Sequence, residues 1–113
     1  MTYRVAVTSD DGEYVNQHFG KASHFLIFEI DDNNEYEYLG AVNNNPICGS
    51  DRKNKSANSV SLISDVSILI TRNVGIKPTQ ILIENGIKPY LTSAAIETAL
   101  EEVMAMEKKN KEK

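Results

Sequence analysis

Cysteine is nearly absent from this chain of 113 residues, which contains only Cys48. One cysteine forms no internal disulfide, and one cysteine with two histidines lacks the paired spacings of a structural zinc site. A chain of this length buries about two thirds of its unfolded surface, so it needs neither kind of cross-link to fold. We expect Cys48 to be a reduced thiol.

The chain also lacks a long apolar run and an excess of basic residues. No stretch approaches the roughly 20 apolar residues of a membrane span, and the residues from Met1 to Val5 enter a strand pattern without the apolar core of a signal peptide. Twelve Lys and Arg stand against 16 Asp and Glu, giving a net charge of −4. Nonspecific binding to nucleic acid or anionic membranes favours the opposite balance. We therefore predict a cytoplasmic protein with neither kind of partner.

The remaining composition is that of one globular domain, with 41% hydrophobic and 25% charged residues. There is no internal repeat and no low-complexity linker. The end of the chain, Lys108-Lys109-Asn110-Lys111-Glu112-Lys113, is strongly charged. We predict a single domain over residues 1–107 and a charged, disordered tail over residues 108–113.

Hydrophobic patterning predicts an α/β fold with the order β-β-β-α-β-α-β-α. The predicted strands are residues 3–8, 25–30, 36–42, 66–71 and 87–91. The predicted helices are one through Ala57, Val60 and Ile63, one from Pro78 to Asn85, and a last one capped by Ser93. A hairpin and two right-handed crossovers then give a mixed five-stranded sheet in the order 3-2-1-4-5 with helices on both faces. That is the architecture of the ribonuclease H-like fold.

This topology brings four loops to one end of the sheet, where neighbouring connections diverge and a crevice is expected. Two residues with soft-ligand chemistry fall in these loops: His18 after the first predicted strand and Cys48 after the third. Those two strands lie roughly 10 Å apart. Helix N-termini near Gly75 and Ser93 add backbone donors. Basic residues fall on or near the same end: Lys21, Arg52, Lys53, Lys55 and Arg72. A basic rim on an acidic protein predicts an anionic ligand.

Each of these residues also has a purely structural interpretation. Cys48 could be a small apolar filler, although its polar, Gly- and Pro-flanked loop argues against that. His18 could brace the turn that precedes Phe19. The others are expected to serve the backbone or the surface first: Asp10, Asp11, Gly20, His24 and Gly75.

Residues 15–30, Val-Asn-Gln-His-Phe-Gly-Lys-Ala-Ser-His-Phe-Leu-Ile-Phe-Glu-Ile, resemble the dinitrogenase iron-molybdenum cofactor biosynthesis family. That family includes NifX-like proteins and the C-terminal domain of NifB. Its hallmark is His-Phe-Gly, a basic residue and alanine, followed by phenylalanine and an aliphatic strand. The opening strand at Val5 and the block from Ile70 to Ile87 also match, so the resemblance covers about residues 3–105.

The resemblance implies a ribonuclease H-like fold and noncovalent handling of a metal–sulfur cluster of the iron-molybdenum-cofactor or iron–sulfur type, without catalysis. Iron and molybdenum in such clusters accept imidazole and thiolate ligands. It implies His18 as the first metal ligand, with Cys48 as the second. The cofactor-binding residues it implies are His18, Phe19, Gly20, Lys21, Arg72, Asn73 and Gly75. Cluster donor and acceptor proteins would be the partners of a monomer or weak homodimer.

Two other functions stay open at this point. The ribonuclease H-like fold hosts metal-dependent nucleases, but these need carboxylates converging within about 4 Å of paired ions. Asp10 and Asp11 lie near the first loop and Asp65 at the opposite end of the fourth strand, so convergence is not expected. The other function is a metal-free regulatory or interaction module, whose partner surface would use tyrosines: Tyr3, Tyr14, Tyr36, Tyr38 and Tyr90.

Overall fold

A computed structural model describes residues 2–19, 22, 24–33, 35–43, 60 and 63–111. These residues form five strands and two helices: β1 (Tyr3–Thr8), β2 (His24–Ile30), β3 (Tyr36–Asn43), β4 (Ile68–Thr71), α1 (Ile76–Glu84), β5 (Lys88–Leu91) and α2 (Ile96–Lys111). All five predicted strands are present. The helix predicted around residues 57–63 falls almost entirely outside the described residues.

The strands form one mixed sheet in the predicted order, β3-β2-β1-β4-β5. β1 is the central strand, pairing antiparallel with β2 and parallel with β4, so that Val5 lies opposite both Phe28 and Ile68. The last four residues of β1 and all four of β4 are buried. Strands covered on both faces carry contiguous apolar residues, which explains the Val-Ala-Val and Ile-Leu-Ile runs.

Successive residues of β1 belong to two different apolar clusters, because side chains alternate between the faces of a sheet. Val5 and Val7 pack in one cluster. To it α2 contributes Ile96, Ala99, Leu100, Val103 and Met104. Ala6 packs in the other cluster with Leu69 of β4 and Leu82 of α1.

The β2–β3 hairpin contains a β-bulge. Ile27 lies opposite Gly40 while Phe28 lies opposite Tyr38, so Leu39 is the extra residue. Gly40 has a φ of 141°, a conformation that favours glycine. β3 is an edge strand with mostly exposed side chains. The bulge leaves Tyr38 directly across from Phe28, which determines the aromatic surface described below.

Both helices begin at residues other than those predicted. α1 begins at Ile76 with Gly75 as its N-cap, so Pro78 lies within the first turn, where its missing amide costs no helical hydrogen bond. The Ser93 cap of the last helix is wrong, because the first helical hydrogen bond runs from the Ala99 amide to the Ala95 carbonyl at 2.9 Å. The Ile96 amide donates instead to the carbonyl of Glu13 at 2.8 Å, a contact between distant parts of the chain.

The last helix is longer than the sequence pattern indicated. α2 continues to Lys111, so it takes in four residues of the segment predicted as a charged tail. The boundary between domain and tail at residue 107 stays a prediction. None of the helices in the described ranges is long and apolar enough to cross a membrane.

Leu69 provides a direct test of this core, because its side chain is completely buried in β4. We expect Leu69→Ala to lower the free energy of unfolding by about 2–5 kcal/mol, since it leaves a cavity between the sheet and Leu82. Leu39→Ala removes the same atoms from a side chain that is 44% exposed. It should cost less than about 1 kcal/mol. Urea unfolding measures both, and equal losses would contradict this core.

Candidate functional site at the carboxyl end of the sheet

The segment of residues 9–19 leaves β1 and lies across the carboxyl end of the sheet, which is the end where β1, β4 and β5 finish. The Val15 amide donates to the Ala94 carbonyl at 3.0 Å, and the Phe19 amide donates to the Asn73 carbonyl at 2.9 Å. In return, the Arg72 amide donates to the Gln17 carbonyl at 3.2 Å. The segment is therefore bonded both to the chain that follows β4 and to the chain that precedes α2.

Two buried threonine hydroxyls support this segment from the sheet side. Thr8 Oγ1 lies 2.7 Å from the Gln17 carbonyl oxygen and 2.9 Å from Thr71 Oγ1. Thr71 Oγ1 lies 3.1 Å from the same carbonyl. Both threonines are fully buried. Each hydroxyl has one proton, so one threonine donates to the other and the second donates to the Gln17 carbonyl, which fixes the backbone of Gln17.

His18 follows directly after this anchor and pairs in parallel with Asn73. The next side chain, Phe19, is 1% exposed and its ring stacks on Phe25 at a centroid distance of 5.7 Å. His18 itself is exposed. No hydrogen bond from another described residue engages its imidazole. The arrangement presents a histidine side chain on a fixed backbone.

Arg72 and Asn73, both exposed, connect β4 to α1 beside His18. The Asn73 side-chain oxygen accepts a hydrogen bond from the Val74 amide at 2.9 Å. Gly75 adopts an ordinary extended conformation with φ −69°. A Cβ there would meet only Pro78, at 3.5 Å, so neither backbone nor space requires this glycine. Gly75 does have a backbone role as the N-cap of α1, because its carbonyl accepts the Thr79 amide at 3.0 Å.

The two aspartates of the segment, Asp10 and Asp11, form hydrogen bonds within the segment's own turn. Asp11 Oδ1 accepts the amides of Glu13 at 2.8 Å and Tyr14 at 3.0 Å. These hydrogen bonds lower the pKa of Asp11, because they stabilise the carboxylate. Asp10 accepts from the Asn16 side chain. Both residues form the turn, as their structural interpretation predicts.

The carboxylates considered for a nuclease do not converge. Asp65 accepts a hydrogen bond from Arg4 at 2.8 Å. That contact lies at the start of β1, whereas Asp10 and Asp11 follow its end. Across the described parts of the chain, no group of three or more His, Cys, Asp or Glu side chains is placed to hold a metal ion.

Several predicted residues lie outside the described residues: Gly20, Lys21, Cys48, Arg52, Lys53 and Lys55. Their places at this end of the sheet stay predictions. His24 begins β2 opposite Asn43 and is half-buried.

Sequence patterning missed the hydroxyl pair and its acceptor. The available signal was a threonine ending each of two buried apolar strands, Thr8 after Val7 and Thr71 after Ile70. A polar residue at that position of a covered strand needs a buried hydrogen-bond partner. The side-chain oxygen of Gln17 is also buried, with no partner among the described residues.

We expect Thr8→Val to loosen the segment, because the nearly isosteric change removes a buried donor to the Gln17 carbonyl. The free energy of unfolding should fall by about 1–3 kcal/mol. Exchange of the Arg72 amide hydrogen should become faster. Thr79→Val is the matched control, since its hydroxyl bonds the Gly75 carbonyl on the helix surface. Equal effects of the two variants on Arg72 exchange would contradict the anchoring role of Thr8.

The turn at Asp11 should make stability depend on acid pH. Its pKa in the folded protein lies below the ordinary value of 3.8, so its contribution is present above that value and is lost as pH falls through the folded pKa. We expect the wild type to lose more stability than Asp11→Asn between about pH 5 and pH 2. Urea unfolding at several pH values measures this difference. Parallel pH profiles would contradict it.

The fold is shared with several solved structures. A provisionally assigned dinitrogenase from Methanocaldococcus jannaschii is 16% identical, with a TM-score of 0.62 over 95% of this chain and 92% of that one. The apo form of the orange protein from Desulfovibrio gigas is 22% identical, with a TM-score of 0.64 over 91% and 88%. A provisionally assigned NifB protein from Thermotoga is 24% identical, with a TM-score of 0.54 over 92% and 88%. At these identities the likeness establishes the fold alone.

No protein with curated function matches the chain. The family described as dinitrogenase iron-molybdenum cofactor matches residues 1–106, which is nearly the whole sequence. This match confirms the resemblance carried by the His-Phe-Gly stretch and the opening strand. The chain belongs to the dinitrogenase iron-molybdenum cofactor family.

Proposed function

We propose that this protein binds or carries a metal–sulfur cluster noncovalently during cofactor assembly, without catalysing a reaction. The cluster is its cargo, of the iron-molybdenum-cofactor or iron–sulfur type. The observation that carries the proposal is His18, an exposed imidazole on a backbone bonded to the chain after β4. Membership of a family named for the iron-molybdenum cofactor supports the same cargo.

The donor chemistry fits such a cargo. Iron and molybdenum in sulfide clusters accept imidazole nitrogen and thiolate sulfur. Because the cluster supplies most of its own sulfur ligands, one or two protein donors hold it reversibly. His18 is the first donor in this proposal, and Cys48 is the second. A sparse set of ligands suits a carrier that must release its cargo.

The surroundings of His18 favour an anionic cargo. Arg72 is exposed beside Asn73, and within the described ranges it takes part in no ion pair. The first turn of α1 contains no acidic residue and its N-cap makes no side-chain hydrogen bond. The amides of Ile76 and Lys77, next to Gly75, have no hydrogen-bond partner among the described residues and are available to an anion. In this proposal Gly20 and Lys21, directly after Phe19, complete the rim.

The proposal includes the ribonuclease H-like arrangement, with a helical layer on each face of the sheet. Its support is the division of the core into two clusters. Leu82 of α1 packs with Ala6, whereas α2 packs with Val5 and Val7. In the cytoplasm, the protein would exchange its cluster with donor and acceptor proteins as a monomer or weak homodimer.

The test is an anaerobic titration of the reduced apo-protein with iron–sulfur and thiomolybdate species, followed by visible charge-transfer absorption. We expect saturable bands in the parent. His18→Ala should weaken the apparent affinity by at least about tenfold, since it removes a metal ligand. His24→Ala, a histidine that is half-buried in β2, is the matched control and should bind like the parent.

Three outcomes separate the parts of the proposal. Weaker cluster binding by His18→Ala, with parental binding by His24→Ala, supports the site. Equal bands in the parent and His18→Ala would contradict the role of His18 and direct attention to Cys48→Ala. Absence of bands in the parent with every species would contradict cluster binding itself.

A further inference from the structure

A groove of about 370 Å³ lies between α2 and the edge strand β3, and His18 is not among its lining residues. One wall is formed by residues 12–14 of the segment that follows β1, together with the start of α2. Phe28 and Tyr36 form the sheet side. The proposed cluster site uses none of these residues.

The sheet side of the groove continues into an exposed aromatic surface. Phe28 contacts Tyr36 at a ring-centroid distance of 6.1 Å and Tyr38 at 5.4 Å. Phe28 is buried, while Tyr36 and Tyr38 are 39% and 54% exposed. Tyr14, which lines the opposite wall, is 51% exposed. Tyrosine rings held in place but open to solvent are typical of recognition surfaces.

The groove is also acidic. Glu13 and Glu97 line it, and no Lys or Arg is among its described lining residues. The pKa of Tyr36 is raised, first by burial and then by the negative charges of Glu97 and Glu101. Glu101 lies four residues after Glu97 and therefore on the same face of α2. Both carboxylates act on the phenol, which stays protonated and keeps its hydroxyl as a donor.

These features discriminate between possible occupants. An anion is disfavoured, because the groove is acidic and the Ile96 amide at the start of α2 is already bonded to the Glu13 carbonyl. A second copy pairing along β3 is disfavoured because it would bring together strands that carry Glu37 and no basic residue. A cationic side chain matches both the rings and the carboxylates.

We propose that this groove docks an arginine- or lysine-bearing segment of a partner protein, with the cation between the exposed tyrosines and the carboxylates of Glu13, Glu97 and Glu101. Guanidinium stacks on aromatic faces and pairs with carboxylates in a planar geometry, so arginine is the favoured residue. The inference goes beyond the proposed function. It requires no cluster and uses a different surface.

The test is a titration of ¹⁵N-labelled protein with the capped tripeptide acetyl-Leu-Arg-Leu-amide, followed by NMR chemical shifts. We expect saturable shifts at the amides of Tyr14, Tyr36 and Glu97. The neutral peptide acetyl-Leu-Gln-Leu-amide has the same flanking residues. It should bind at least about tenfold more weakly, since it lacks the cation.

Two charge variants distinguish the groove from general attraction to an acidic protein. The double variant Glu97→Gln, Glu101→Gln should weaken binding of the arginine peptide about fivefold or more. Glu84→Gln removes the same kind of charge from the exposed end of α1 and should leave binding unchanged. Tyr36→Leu should also weaken binding, because it removes a ring. Dispersed amide spectra show that each variant is folded.

Weaker binding of the arginine peptide by the glutamate double variant and by Tyr36→Leu, with unchanged binding by Glu84→Gln, supports the proposal. Equal binding of the two peptides would overturn it, since recognition would then rest on apolar contact alone. Equal loss in Glu84→Gln would overturn it in favour of unspecific charge attraction. Concentration-dependent shifts of the same amides without peptide would show that a second copy occupies the groove, which also overturns it.

Discussion

Parallel pairing of β1 with β4 is the constraint on which the rest of this structure depends. It places a completely buried ladder at the centre of the sheet and makes both strands finish at the same end. Thr8 and Thr71 then end these strands as fully buried neighbours, and among the described residues their hydroxyls bond to each other and to nearby carbonyls. The segment of residues 9–19 satisfies that need through Gln17. Burial of two strands therefore determines the path of a loop that carries the exposed histidine.

The sequence permits prediction of the strands and their order, because contiguous apolar runs and connection rules are local or topological signals. β1 has the predicted bounds, and β2 and β3 differ from them by one residue each. The start of α2 could not be predicted from Ser93, since a carbonyl from Glu13, distant in sequence, bonds the Ile96 amide. The hydrogen bond between Thr8 and Thr71 could not be predicted for the same reason, because the two residues are 63 positions apart in the sequence. The bulge at Leu39 left no clear mark in the strand pattern.

The candidate site was predictable to a similar extent. Topology brought the loops after β1 and β4 to one end, and the structure pairs His18 with Asn73 there. The metal-ligand roles proposed for His18 and Cys48 rest on the family resemblance, because backbone geometry alone does not indicate which side chains bind a metal. The sequence indicated five tyrosines as candidates for a partner surface without showing which of them lie together. The structure shows that Tyr36 and Tyr38 both pack against Phe28 and so form one surface. One segment contributes to both regions, because residues 12–14 line the groove and His18 follows four residues later.

The buried Phe19 beside the exposed His18 has a kinetic consequence. The Phe19 ring is locked against Phe25 and its amide is bonded to Asn73, so the backbone at this position opens only when the core is disturbed. In the proposed function, release of the cluster would break the bond between its metal and the ring nitrogen, and the freed side chain would turn about its own torsions, so neither step requires local unfolding. Under that proposal, exchange of cargo at His18 would be uncoupled from the stability of the fold.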